Sequence, residues 1–175
     1  IEMLNALLKE PEYVSDIAAI LKPIYKQNHN DEAYLELCRL CIENSSDEFE
    51  RRAIYLDAAS VADESLNDPE RAFEFIKEAI LINPTDDEVL ERAQSVAQRH
   101  QCYALLTSVC ERVIAQINGP DALVSLSFLA AKYYEEQLAN GNKAIEQYER
   151  VLESDSLNEV ALVNLHRLYK QIEDI

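Results

Sequence analysis

The feature that most restricts this chain is an internal match at a constant stride. Residues 65–84 read SLNDPERAFEFIKEAILINP and residues 137–156 read QLANGNKAIEQYERVLESDS. Leu66 pairs with Leu138, Ala72 with Ala144, Phe73 with Ile145, Ile76 with Tyr148 and Ile80 with Leu152, every pair 72 positions apart. The stride continues beyond these stretches, in Cys38 with Cys110, Ile42 with Ile114, Ala58-Ala59 with Ala130-Ala131, and Tyr25 with Ala97 and then Tyr169. Each block divides into two half-units, because Ala79, Val113 and Val151 hold equivalent places at steps of 34 and 38. Periods of this size belong to stacked helical hairpins, each too small to hide its own apolar stripe.

Helix ends support the same reading. Asp68 is expected to cap a helix with Pro69 in its first turn, where a missing N–H is harmless. Ala72, Phe73, Ile76, Ala79 and Ile80 then form an i, i+3, i+4, i+7, i+8 stripe, stopped by Asn83-Pro84. Thr85 with Glu88, and Ser156 with Glu159, have capping-box spacing. The pattern predicts helices near 2–9, 13–27, 31–43, 47–65, 69–82, 86–99, 102–117, 120–138, 141–153 and 158–172. With only two glycines and five prolines, and no concentration of β-branched residues in alternating runs, little material is left for strands. The expected fold is all-α, about four helical hairpins with a flanking half-unit at each end, within a single domain over 1–175.

The residues that set the helix spacing also carry a family resemblance. Tyr55, Ala58, Ala59 and Ala62, followed by Ala72, Ile76, Ala79 and Pro84, resemble the tetratricopeptide repeat. Ser127, Ala130, Ala131, Tyr134, Ala144, Tyr148, Val151 and Ser156 repeat the frame. Leu90, Ala93 and Ala97 with Leu106, Cys110 and Val113 form a more diverged unit with a shorter turn. The last complete unit lacks the family's proline, and the glycine that usually follows the leucine is absent. The resemblance implies a right-handed α-α superhelix that presents a concave groove to a protein or peptide and performs no catalysis.

Charge narrows the class of partner. The chain carries 33 acidic against 16 basic residues, a formal charge of −17. No Lys/Arg cluster offers the basic face that nucleic acid requires, and an anionic membrane surface would be repelled. No apolar run approaches the roughly 20 residues that span a bilayer. The chain opens IEMLNALLKE, without an initiator Met, and is expected to be a fragment of a longer array.

Residue types that carry chemistry have plain explanations here. Cys38 and Cys41 sit one helical turn apart inside a predicted helix, and Cys102 and Cys110 do not complete a zinc-binding set. Cys38 and Cys110 occupy the slot of Ile76 and Tyr148 in sister units, so they are expected as small buried hydrophobes, which favours a reducing, cytoplasmic compartment. His29 and His100 fall in equivalent turns beside Asn28, Asn30, Arg99 and Gln101, an ordinary polar setting in which a solvated histidine is expected rather than a general base. Asp86 and Asp87 suit a helix N-terminus without any catalytic role. No phosphate-binding glycine loop exists. Tyr25, Tyr55, Tyr134, Tyr148 and Tyr169 fall in periodic core slots, whereas Tyr103 and Tyr133 lie off the stripe and are candidates for exposed contacts. No catalytic residue, cofactor or metal is expected.

A partner site is therefore expected on the first helix of each pair. The resemblance places groove positions at Leu56, Ser60 and Asp63, at Glu91, Ser95 and Gln98, and at Phe128, Lys132 and Glu135. The Lys-and-Asn clamp that some relatives use for a peptide carboxylate is missing: Leu56 and Phe128 stand at its Lys, Ser60 and Lys132 at its Asn. Leu56 and Phe128 imply apolar anchoring, and Asp63 and Glu135 favour a basic or neutral segment over an acidic one. The alternative is a regulatory segment of a larger protein, controlling an attached effector. The terminal half-units, such as EMLNALL with Leu4, Leu7 and Leu8, offer surfaces for self-association.

Overall fold

Local rules start and stop each helix. Asp68 accepts the Arg71 backbone N–H at 3.0 Å, with Pro69 as the first helical residue. Asn30 and Asn140 accept from Ala33 (3.4 Å) and Lys143 (3.1 Å) at two further starts. Such caps satisfy amides that have no partner within the helix. The computed structural model describes residues 8 and 10–173. The expected helix over 2–9, with Leu4 and Leu7, lies outside the described residues except at Leu8, which is in a turn.

After a single turn at Pro11–Tyr13 come α1 (Val14–Gln27), α2 (Asp31–Asn44), α3 (Glu48–Glu64) and α4 (Pro69–Ile82). Next follow α5 (Asp87–His100), α6 (Tyr103–Ile114), α7 (Pro120–Glu136), α8 (Gly141–Ser154) and α9 (Glu159–Glu173). The predicted bounds agree within three residues, and among the described residues there is no strand. The fold is all-α and repetitive, as the stride requires. The chain, expected as one array, falls into two compact units, residues 1–82 and 83–175.

Each unit is built around the repeated positions. In the first, Ala58, Ala59 and Ala62 of α3 are fully buried against Ala72, Ile76 and Ala79 of α4. In the second, Ala130 and Ala131 of α7 meet Ala144 and Val151 of α8, again fully buried. Small residues here let helix axes approach closely, while Phe73, Ile76, Ile80, Leu106 and Leu126 fill the remaining space. Each such large side chain contributes about 1.5–3 kcal/mol of burial.

The turns repeat as strictly as the core. The left-handed residues are His29 (φ 50°) and Gln101 (φ 54°), then Asn67 (φ 53°) and Ala139 (φ 48°), two pairs 72 apart. Their hydrogen bonds match too: Asn30 N–H to Tyr25 C=O recurs as Cys102 to Ala97, and Asp68 to Ala62 recurs as Asn140 to Tyr134. These bonds close helix ends in the manner of an αL cap.

Four expectations are corrected. Thr85 is not a cap; Asp86 accepts from Glu88 (3.0 Å) and Val89 (3.3 Å), while the Thr85 hydroxyl turns back to Asn83. Ser156 is likewise passed over for Asn158, which accepts from Ala161 at 3.1 Å. The capping oxygen has to sit on the residue immediately before the helix, and Asp86 and Asn158 do. Finally, Tyr133 is buried rather than exposed, and it stacks on Tyr103 with ring centres 5.5 Å apart. Tyr169, expected in the core, is 45% exposed.

Candidate functional site

Helices α5 and α7 each turn one stripe toward a shared cleft within the second unit. The stripe on α5 is Asp87, Leu90, Glu91 and Gln94; that on α7 is Ser125, Phe128, Leu129 and Lys132. Both follow i, i+3, i+4, i+7, the spacing that puts residues on one helix face. The open cleft has a volume of about 370 Å³. Leu90, Phe128 and Leu129 supply an apolar floor, Asp87 and Glu91 an acidic rim, and Lys132 a single exposed cation.

Supporting contacts hold this floor in place. Phe128 packs edge-on against the Tyr148 ring, 5.8 Å between centres. Gln94 accepts the Tyr133 hydroxyl at 3.2 Å and donates to the Leu90 carbonyl, also at 3.2 Å. Lys132 Nζ lies 5.6 Å from the Tyr133 ring centre, within cation–π range. A ligand side chain entering the cleft would meet groups already fixed, which lowers the ordering cost of binding.

Of the positions expected to line a groove, Glu91, Phe128 and Lys132 come together here. Ser95 and Gln98 are exposed further along α5. Glu135 is engaged elsewhere: it accepts the Tyr148 hydroxyl at 3.0 Å and the Arg167 guanidinium at 2.5 Å, tying α7 to α8 and α9. A basic ligand at Glu135 would have to displace Arg167. Leu90 was missed because it also belongs to the packing stripe; Gln94, three positions after Glu91, and Leu129, four after Ser125, share the cleft face by helical spacing, which was the available signal.

In the first unit Leu56 is half-buried on α3, and the Ser60 hydroxyl donates to the Leu56 carbonyl at 2.9 Å. Asp63 is only 2% exposed, so its carboxylate is withdrawn from the surface. The acid that does organise this unit is Asp57, which no sequence signal marked. Its carboxylate accepts the Tyr34 hydroxyl and pairs with Lys22 at 3.4 Å and Lys26 at 3.2 Å. Both ammonium groups also stand over the Tyr34 ring, at 5.6 and 4.9 Å.

Electrostatics follow from this arrangement. Burial alone would raise the Asp57 carboxyl, but the Tyr34 hydrogen bond and the two lysines outweigh it and hold the group below its usual range. Burial, reinforced by Asp57, pushes Tyr34 well above the ordinary phenol range, so it remains a proton donor. Beside Asp57, with Lys26, His29, Ser60 and Glu64, lies a cleft of about 280 Å³.

Cys38, Cys41 and Cys110 carry no activated thiol, since burial raises all three. Burial pushes Cys38 and Cys110 up to about 12, so both stay protonated near neutrality. None of the four cysteines is in a disulfide, and among the described residues no group of three or more His, Cys, Asp or Glu is placed to hold a metal ion. No helix among the described residues is long and apolar enough to cross a membrane.

No family model matches the chain, and no curated protein does. Among solved structures, a crystal structure of MamA protein is similar, at 13% identity and a TM-score of 0.46, over 91% of this chain and 82% of that one.

Proposed function

We propose that this chain is a protein-interaction scaffold, receiving a partner segment in the α5–α7 cleft and performing no chemistry of its own. The observation that carries the reading is convergence. Glu91, Phe128 and Lys132, from two different hairpins, line one cleft whose floor is apolar and whose rim is acidic. Burying one Leu-sized anchor on that floor supplies about 1.5–3 kcal/mol. Asp87 and Glu91 favour a basic or neutral residue beside the anchor, while Lys132 admits a backbone carbonyl or hydroxyl at the far side.

The test is affinity capture with the intact chain, followed by affinity measurement on the captured partner. Phe128→Ala is expected to weaken binding about tenfold or more, as truncation of a central aromatic anchor does. Gln98→Ala, on α5 but outside the cleft, is expected to leave binding unchanged. Equal affinity for Phe128→Ala and wild type, with helical content retained, would overturn the assignment.

Self-association belongs to the same reading at α9. Leu162 and Tyr169 are each 45% exposed and Val163 is 67% exposed. The counterparts of Leu162 and Tyr169 72 positions earlier, Leu90 and Ala97, are buried on α5, which packs against α6, while Val163 answers to the exposed Glu91. A second copy of this chain would supply α9 with equivalent cover.

A further inference from the structure

A different surface of the first unit is open where its counterpart in the second unit is strapped shut. Residues from α2, α3 and α4 line a cleft of about 410 Å³, with Ile42, Tyr55 and Phe75 as its apolar part. Arg39, Glu43, Arg71, Glu74 and Glu78 surround it. Seventy-two positions on, Arg39 becomes Glu111, Tyr55 becomes Ser127, Phe75 becomes Gln147 and Glu78 becomes Arg150. There Gln147 donates to Glu111 at 3.1 Å and accepts from Arg150 at 3.1 Å, while Tyr134 donates to Glu111 at 3.0 Å. That chain of polar groups crosses from α6 to α8, and Ser127 Oγ lies buried without a hydrogen-bond partner. The first unit has exchanged the strap for two aromatic rings.

The charge around the open cleft has a definite sign. Arg39 is held by Glu36 at 3.4 Å, and Arg71 by Glu32 at 2.8 Å and Asp68 at 3.5 Å. Lys77 is shared between Glu74 at 3.5 Å and Glu78 at 2.7 Å. In the lining itself Glu43, Glu74 and Glu78 stand against Arg39 and Arg71, and both guanidinium groups are already engaged by Glu36, Glu32 and Asp68. An apolar floor under an acidic rim suits a side chain that is apolar and flanked by positive charge.

We propose that the Ile42–Tyr55–Phe75 cleft is a second docking site, for a protein segment that sets an aromatic or branched apolar side chain between lysine or arginine residues. It is independent of the α5–α7 cleft, being lined by other helices in the other unit.

Amide and methyl NMR signals of the whole chain, titrated with the blocked peptides acetyl-Lys-Phe-Lys-amide and acetyl-Glu-Phe-Glu-amide, provide the test. The basic peptide is expected to shift signals of Ile42, Tyr55 and Phe75, and the acidic peptide is not. Removing rim charge with Glu43→Gln and Glu78→Gln together should weaken the basic peptide about three- to tenfold, as loss of two partly screened ion pairs does. Arg39→Glu with Phe75→Gln copies the Gln147–Glu111 bond of that strap and should abolish the shifts with helical content retained. Equal shifts for both peptides, shifts confined to Phe128 and Leu129, or no shifts at all would each overturn the proposal. So would full retention of binding in the charge-removed variant, which keeps the floor intact should the double core variant fail to fold.

Discussion

Asp57 shows what a single side chain does in an acidic chain. It gathers Lys22, Lys26 and Tyr34 from two other helices, 23 to 35 residues away in sequence. Its folded-state carboxyl titrates below the usual range. The stabilisation this represents is fully present above the unfolded value of about 4 and is lost as pH falls through the folded value. Asp57→Asn should therefore lower the unfolding free energy at pH 7 by on the order of 1 kcal/mol. In urea titrations at several pH values, the gap between variant and wild type should close below about pH 4. A gap constant from pH 7 to 3 would show that the charge is not responsible. Nothing local in the sequence marks Asp57: an acid on a helix reads the same whether solvated or paired, and its partners are remote.

Helix ends and turns were largely legible, yet two were misread for an instructive reason. Thr85 and Ser156 have capping-box spacing, but they are 71 positions apart and break the stride; Asp86 and Asn158 are 72 apart and are the caps. Applying the repeat to the turns as well as to the core would have selected them. The same logic identifies a strained element. At the α7–α8 turn the left-handed position is Ala139, φ 48°, where a Cβ meets the following carbonyl. Ala139→Gly relieves that contact and is expected to raise stability by about 0.5–1 kcal/mol. Thermal unfolding monitored by circular dichroism reads the result. A lowered melting temperature would mean that backbone entropy, not the steric contact, governs this turn.

For the whole molecule, the charge of −17 and the exposed apolar side of α9 act against each other. Self-repulsion opposes association, and salt screens it within about 10 Å at 0.1 M. Sedimentation velocity should show a dimer fraction that grows with concentration and with salt, and that Val163→Asp removes. Strictly monomeric behaviour across both series would eliminate pairing through α9. The stride of 72 determined where the helices run, which alanines are buried and where the chain turns, because burial on a helix recurs every three to four residues and is written locally. Only the tertiary structure decided that Phe128 and Glu91 meet in one cleft, that Asp63 is withdrawn, and that Phe75 leaves open what Gln147 closes. Those outcomes depend on the distance and rotation between packed helices, a sum over many side chains that no single stretch encodes.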